Sequence, residues 1–387
     1  VLKVAVIVTA RPSWAKLQTL CDALRKRDDV ELQIIACASA LLERYGAVIN
    51  VIRQEGFDIA AECWTVHEGE NLITSAKETG ALLTELAGRL SALQSDVVVV
   101  CADRHEVLAC AQAAAYLHVP LVHLQGGERS GSIDDRSRDA ITQLADYHMV
   151  CTRRAQMRVY ALTGDATRVT WTGCPSIDLA KQALTEPLVT SDELGGAGAP
   201  IDLTQPFVVV LHHPVTDEYI DAGEQMHNVL SGARASSQQA LCLWPGQDAG
   251  AGLASKAVRE WQTHIHTVRN LPPTRFLRLL TQASCLVGNS SAGIRECSYL
   301  GVPVVNVGTR QSGRERSRNV IDVDYDAPAI ANAVSTQIAH GPYHPSTLYG
   351  RGDSGQRIAE VLIASIKDGS VKGRVSQGVG EDARGEG

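Results

Sequence analysis

The chain carries no excess of basic residues: 36 Lys and Arg stand against 43 Asp and Glu, a formal charge of -7 over 387 residues. That balance argues against a general binder of nucleic acid or of anionic membrane surfaces, which usually needs a basic excess, although it leaves room for local basic sites. No apolar run approaches the length of a membrane-spanning helix, so no membrane partner is expected. The opening VLKVAVIVTARP is too short and too strand-like for a signal peptide, and a cytoplasmic protein is expected. Ten cysteines are present without a Cys-x-x-Cys or any zinc-ligand spacing, and most sit in apolar stretches, as Cys101, Cys151 and Cys285 do. They read as reduced, buried thiols of a cytosolic enzyme. Neither G-x-G-x-x-G nor a Walker A sequence occurs, which leaves no support for a nicotinamide cofactor or a P-loop.

What is present is regular. Apolar residues make up 44% and charged residues 20%, the profile of a globular chain long enough for two domains. Short apolar runs, read as strands at Val4–Val8, Glu31–Ala36, Asp96–Cys101, Pro120–Leu124, Tyr147–Cys151 and Arg168–Trp171, alternate with amphipathic segments such as Ser13–Lys26 and Leu72–Leu90. Alternation of this kind predicts a parallel sheet covered on both faces. It breaks at 186–206, rich in Gly, Pro and turn formers, and resumes with strands at Phe207–Leu211, Gln239–Leu243, Ile265–Val268, Cys285–Val287 and Pro303–Val307. The expected organisation is an α/β chain with a first domain over 1–185, a linker region over 186–206 and a second domain over 207–352. A final helix over 353–368 would cross back onto the first domain, and 369–387 would be a disordered tail.

In open parallel sheets ligands bind beyond the carboxyl ends of the strands, so the loops there are the candidates. Arg11, after the first strand, either reaches a phosphate beside a helix N-terminus or is an exposed arginine in a tight turn. In ADRHE, Asp103 is either a base or the N-cap of the next helix, with His105 beside it. HLQGGERSGSIDD brings two glycines, then Glu128, Asp134 and Asp135; Ser132 and Asp135 resemble a capping box, so one of the two aspartates is a candidate structural residue. Carboxylates on two loops facing one cleft suit acid–base chemistry at carbon. They would equally suit a divalent metal, but the histidines fall at no metal-ligand spacing. His212 and His213 end another strand, where a functional and a structural histidine read alike. GNSSAGIRE and GTRQSGRE occupy the last two such loops.

Taken together, TARPSWAKL, ADRHE, HLQGGERSGSIDD, TGCPSIDL, HHPVT, GNSSAGIRE and GTRQSGRER resemble the UDP-N-acetylglucosamine 2-epimerase family, in particular its hydrolysing, N-acetylmannosamine-forming branch. The motifs run in the family's order over nearly all of residues 1–365. The resemblance implies the GT-B architecture, two Rossmann-like domains with parallel sheets facing a central cleft. It implies a UDP-sugar substrate, no metal or redox cofactor, no nucleic acid or membrane partner, and a homodimer or higher homo-oligomer.

By position it implies that Ser290 and Ser291 hold the phosphates and Glu296 the ribose, while Arg11 and Arg314 neutralise the diphosphate. Asp103 and Asp134 match the carboxylates of the proton transfers, and His213 matches the histidine near the leaving phosphate. The chain departs from the pattern twice. Gln125 stands where well-studied members have glutamate, and it cannot accept a proton; Glu128 is the stand-in base, or Gln125 orients the acetamido group. Asp139 follows Arg138 where the family commonly has Arg-His, a change of charge expected to alter the substrate. The alternatives are a non-hydrolysing epimerase, a glycosyltransferase of the same architecture, and a weakened nucleotide-sugar binder.

Overall fold

The structure, a computed structural model, describes residues 1–68, 71–131, 133–236, 239–246 and 248–371. Ser132 lies outside the described residues, as does the expected tail from 372 onward.

Two seven-stranded sheets organise the chain. The first contains β1 (Leu2–Val8), β2 (Val30–Cys37), β3 (Ile59–Cys63), β4 (Val97–Cys101), β5 (Leu121–Leu124), β6 (Tyr147–Val150) and β7 (Val169–Trp171), in the order β3-β2-β1-β4-β5-β6-β7, all parallel. The second contains β8 (Ala197–Gly198), β9 (Phe207–Leu211), β10 (Gln239–Leu243), β11 (His266–Val268), β12 (Cys285–Gly288), β13 (Val304–Val307) and β14 (Val320–Val323), in the order β14-β13-β12-β9-β10-β11-β8. Among the described residues its one antiparallel strand is β8, paired with β11 at the edge. Runs such as Val97-Val98-Val99-Val100 and Phe207–Leu211 are buried along their whole length, because helices cover both faces of each sheet.

Each sheet reverses its strand order once, between β1 and β4 in the first and between β9 and β12 in the second. A crevice opens at such a reversal, because neighbouring connections leave toward opposite faces. The four loops that follow these strands are Thr9–Trp14, Ala102–His105, His212–Val215 and Asn289–Ser291, so both crevices are lined by the motif loops.

The structure differs from the sequence reading in places. The helix expected over Ser13–Lys26 is divided into a turn, Arg11–Trp14, and a helix, Gln18–Arg25, with Leu20 and Leu24 buried. The stretch 186–206 is not a free linker. Thr190 and Glu193 form a capping box around Ser191–Leu194, β8 extends the second sheet, and Val189, Leu194 and Leu203 enter the second core. Helix Pro175–Ala183 gives Leu179, Ala180 and Ala183 to that same core, so the chain has joined the second half before residue 186. Asp178 on this helix accepts Thr19 Oγ1 at 3.0 Å and the backbone N–H groups of Ser354 and Gly355 at 2.8 and 2.6 Å. Through those bonds it anchors helix Ser354–Lys367, whose Ile358, Ala359 and Leu362 pack in the first core. All ten cysteines are free and buried.

Candidate active site

The cleft holds two adjoining cavities. They share Pro12, Lys16, His213, Ser290 and Ser291. The first continues into an apolar socket made by Leu243, Leu271, Pro273 and Phe276, with Glu296 and Arg11 at its polar rim. The second holds Asp103, Asp134, Arg310 and Arg314. An apolar socket with a carboxylate, a waist of hydroxyls and cations, and a chamber that sets Asp103 and Asp134 among cations follow one another in space.

The waist is set by β9 and β12. Gly288 ends β12 at φ +135°, and a Cβ there would collide with the Leu211 carbonyl, so only glycine lets the two strand ends lie side by side. Asn289 then clamps the neighbouring loop: it accepts the His213 backbone N–H and donates to the His213 carbonyl, both at 2.8 Å. Ser290 caps the following turn, its Oγ accepting Ala292 N–H at 3.3 Å. His213 Nδ1 accepts the Gly246 N–H at 3.0 Å, so the neutral ring carries its proton on Nε2. Burial first, and then the nearby Arg310, push its pKa down to about 3. The ring is therefore a neutral donor at ordinary pH. Glu296 Oε2 is buried without a hydrogen-bond partner, as a group awaiting a ligand hydroxyl would be.

Beside that chamber, Arg138 organises the carboxylates. Only 1% exposed, it pairs with Asp103 and with Asp135 Oδ1 at 2.5 Å, and donates to the Glu128 carbonyl at 2.7 Å. Asp135 also accepts the N–H and hydroxyl of Ser130 and the N–H of Gly131. Of the two adjacent aspartates, then, Asp135 is the structural one and Asp134 faces the cleft. Asp103 does not cap its helix: that position falls to Arg104, and no side chain caps it. Ala102 and Gln125, which follow adjacent strands β4 and β5, both hold left-handed backbone, φ +72° and +67°. Non-glycine residues in that region cost on the order of 1–3 kcal/mol each and concentrate where function demands them.

The expected stand-in base is corrected by the structure. Glu128 Oε2 lies 2.5 Å from Arg295 Nη2 and 3.1 Å from Arg314 Nε. Burial favours its neutral form, but Arg295 and Arg314 outweigh burial and hold its pKa at about 2. A carboxylate so engaged is a poor proton acceptor, and its side chain lines a different cavity from Asp103. Gln125 belongs to the same network, accepting Arg295 Nη1 at 3.0 Å and donating to Cys174 Sγ at 3.2 Å. At 1% exposure it is a tether rather than a surface contact. The change at Asp139 is also absorbed locally. Asp139 binds Arg158 Nη2 at 2.7 Å and lies 3.8 Å from Arg129, outside the linings of the two cleft cavities.

Of the other expected residues, Arg11 donates to Asn270 across the cleft, and Arg314 reaches the chamber of Asp103 and Asp134 while donating to Gln311 at 2.6 Å. His105 sits apart in an adjoining cavity, 3.5 Å from Glu78 and 3.4 Å from Glu106. The sequence reading missed Lys16, Arg138, Arg295 and Arg310. Lys16 was hidden inside a helical pattern, yet it lines both halves of the cleft, and burial followed by Arg295 lowers its pKa. Arg295 stood in plain view within GNSSAGIRE.

Two Rossmann-like domains that close on a shared cleft of this character define the GT-B architecture. The sequence profile of the UDP-N-acetylglucosamine 2-epimerase family matches residues 22–363, and the chain belongs to that family. A UDP-N,N'-diacetylbacillosamine 2-epimerase (hydrolyzing) of Legionella pneumophila is 30% identical over 362 residues, 93% of this chain and 95% of that one. Among solved structures, the UDP-GlcNAc 2-epimerase of Neisseria meningitidis bound to UDP-GlcNAc superposes with a TM-score of 0.78 at 16% identity, covering 94% of this chain and 100% of that one. The enzyme of Methanocaldococcus jannaschii, in complex with UDP-GlcNAc and UDP, gives the same TM-score at 19% identity, with 94% and 100% covered. Among the described residues no helix is long and apolar enough to cross a membrane.

Proposed function

We propose that the protein is a hydrolysing 2-epimerase of a UDP-linked 2-acetamido hexose, releasing UDP and the free 2-epimer. The observation that carries this reading is the order of groups along the cleft. The apolar socket and Glu296 suit uridine, the second through its ribose hydroxyls. The waist of Ser290, Ser291, Lys16 and His213 suits a diphosphate, and Asp103 and Asp134 then fall beside the hexose.

The chemistry follows from that placement. One carboxylate takes the C2 proton as the C1–O bond to UDP breaks, and the electron pair forms C1=C2, leaving a glycal. His213, donating from Nε2, and the cations Lys16, Arg310 and Arg314 stabilise the negative charge that grows on the departing phosphate. Water then adds its oxygen to C1, and C2 receives a proton on the opposite face. Inversion needs two proton-transfer groups, and Asp103 and Asp134 arrive on separate loops, after β4 and at the start of helix Asp134–Leu144. Arg138 keeps Asp103 rigid.

Incubation with UDP-N-acetylglucosamine in deuterated water tests the reading. The expected result is release of UDP with deuterium at C2 of a free sugar. Deuterium on intact UDP-sugar would replace this reading with the non-hydrolysing reaction. A requirement for an added acceptor would replace it with glycosyl transfer.

A further inference from the structure

Glu128 has one oxygen that its tether leaves unused. Oε2 faces Arg295 and Arg314, whereas Oε1 is buried without a hydrogen-bond partner, in a residue only 7% exposed. A buried carboxylate oxygen without a donor calls for one. Glu128 lines neither cleft cavity but a separate one, walled by both halves of the chain. Arg129, Arg154 and Arg158 come from the first half, Arg314 and Glu315 from the second. The two walls touch at Gly313, where a Cβ would collide with Arg129.

Charge in this cavity is unbalanced, with four arginines around two carboxylates. Both carboxylates are engaged, Glu128 by Arg295 and Arg314 and Glu315 by the Thr152 hydroxyl. The arginines are less well served. Arg158 is held by Asp139 at 2.7 Å, yet its Nε is buried without an acceptor. Arg129 stands 3.9 Å from Asp135 and 3.8 Å from Asp139. Arg154 has no carboxylate within ion-pair distance among the described residues.

That combination narrows the guest. An anion would satisfy the arginines, but Glu128, ionised at ordinary pH, repels any anion that cannot offer it a hydrogen. Orthophosphate keeps a P–O–H near neutral pH. Sulfate keeps none, and neither does the dianion of a phosphate monoester. We propose that this cavity is a binding site for inorganic phosphate, which donates its P–O–H to Glu128 Oε1 and lays its charged oxygens on Arg129, Arg154 and Arg158. The guest touches both halves of the chain, so its binding favours the arrangement in which they meet. Nothing in the site requires a nucleotide, and it stands apart from the UDP-sugar reading.

Calorimetric titration of the full chain tests it with three probes, sodium phosphate, sodium sulfate and methyl phosphate, slightly above neutral pH, where the monoester is a dianion. One equivalent of phosphate should bind, about tenfold more tightly than either of the others. Arg154→Ala, at an exposed position outside the cleft, should weaken phosphate about tenfold and leave UDP affinity unchanged. In Glu128→Gln the amide oxygen turns to Arg295 and Arg314, so its NH2 faces the cavity, and sulfate should come within about threefold of phosphate. Equal affinity for the three anions in the unsubstituted chain would overturn the site, as binding of any small anion alike. So would undiminished phosphate affinity in Arg154→Ala, or an unchanged preference for phosphate in Glu128→Gln. Competition between phosphate and UDP would place the anion in the waist and overturn the site as well.

Discussion

On the first-sheet side of the cleft, side chains hold side chains: Arg138 bridges Asp103 and Asp135, and Glu128 is gripped from across the cleft by Arg295 and Arg314. On the second-sheet side the fixing is done by backbone and neutral groups, in the glycine turn at Gly288, the Asn289 clamp and the Ser290 cap. One wall has its charges already paired and oriented before a ligand arrives. The other leaves Glu296 Oε2 unfilled inside the cleft, while Glu128 Oε1, unfilled on the first, lines a separate cavity. Rigid, prepaid charge suits a transition state, whereas open sockets suit a ground-state ligand.

Substitutions on the two walls should therefore fail in different ways. The largest effect is expected from Asp103→Asn, with UDP release slowed about a thousandfold and UDP affinity within a few-fold by calorimetry. A large loss of UDP affinity would erase the distinction between the walls. Next, Arg138→Met strands two carboxylates and should lower stability by about 3 kcal/mol in denaturant unfolding, more than any single change at Ser290 or Ser291. For Glu128→Gln, a tether predicts roughly tenfold slower turnover with C2 deuterium exchange retained. Loss of exchange at the level of Asp103→Asn would restore Glu128 as a base. Ser290→Ala with Ser291→Ala should weaken UDP about tenfold, with turnover at saturation nearly unchanged.

One further effect is shared by both halves. Burial depresses His123 to about 4, and His148 and His212 to about 3. Their unfolded forms bind protons near pH 6.5, so as pH falls below that value the unfolded state gains protons that the folded state refuses, and stability drops. Between pH 6.5 and 5 the loss should be about 1–2 kcal/mol per histidine, read as a falling unfolding midpoint. His123→Gln should flatten the slope.

Much of this was legible in the chain. Apolar runs and their turns located most strands, because a strand buried on both faces must be apolar throughout. The strands Ile59–Cys63 and Val320–Val323 escaped, since their lining is only partly buried and their pattern weak. The motif loops brought Ser290, Ser291, Glu296, Asp103 and Asp134 to the cleft. Residues whose partners belong to the protein were harder to see. Glu128 looked available because nothing in HLQGGERSGSIDD reveals that Arg295, 167 residues away, occupies it. For the same reason Asp139 looked like a change to the substrate site, until Arg158 proved to hold it.

The left-handed backbone at Ala102 and Gln125 has a consequence for improving this protein. Glycine would relax either position by about 1 kcal/mol, so a screen for heat resistance should be drawn to both. Yet these two residues aim the loops that carry Asp103 and Glu128. On the role proposed for Asp103, robustness gained at Ala102 would come out of catalytic speed, which makes the end of β4 the place to look for a trade of one against the other.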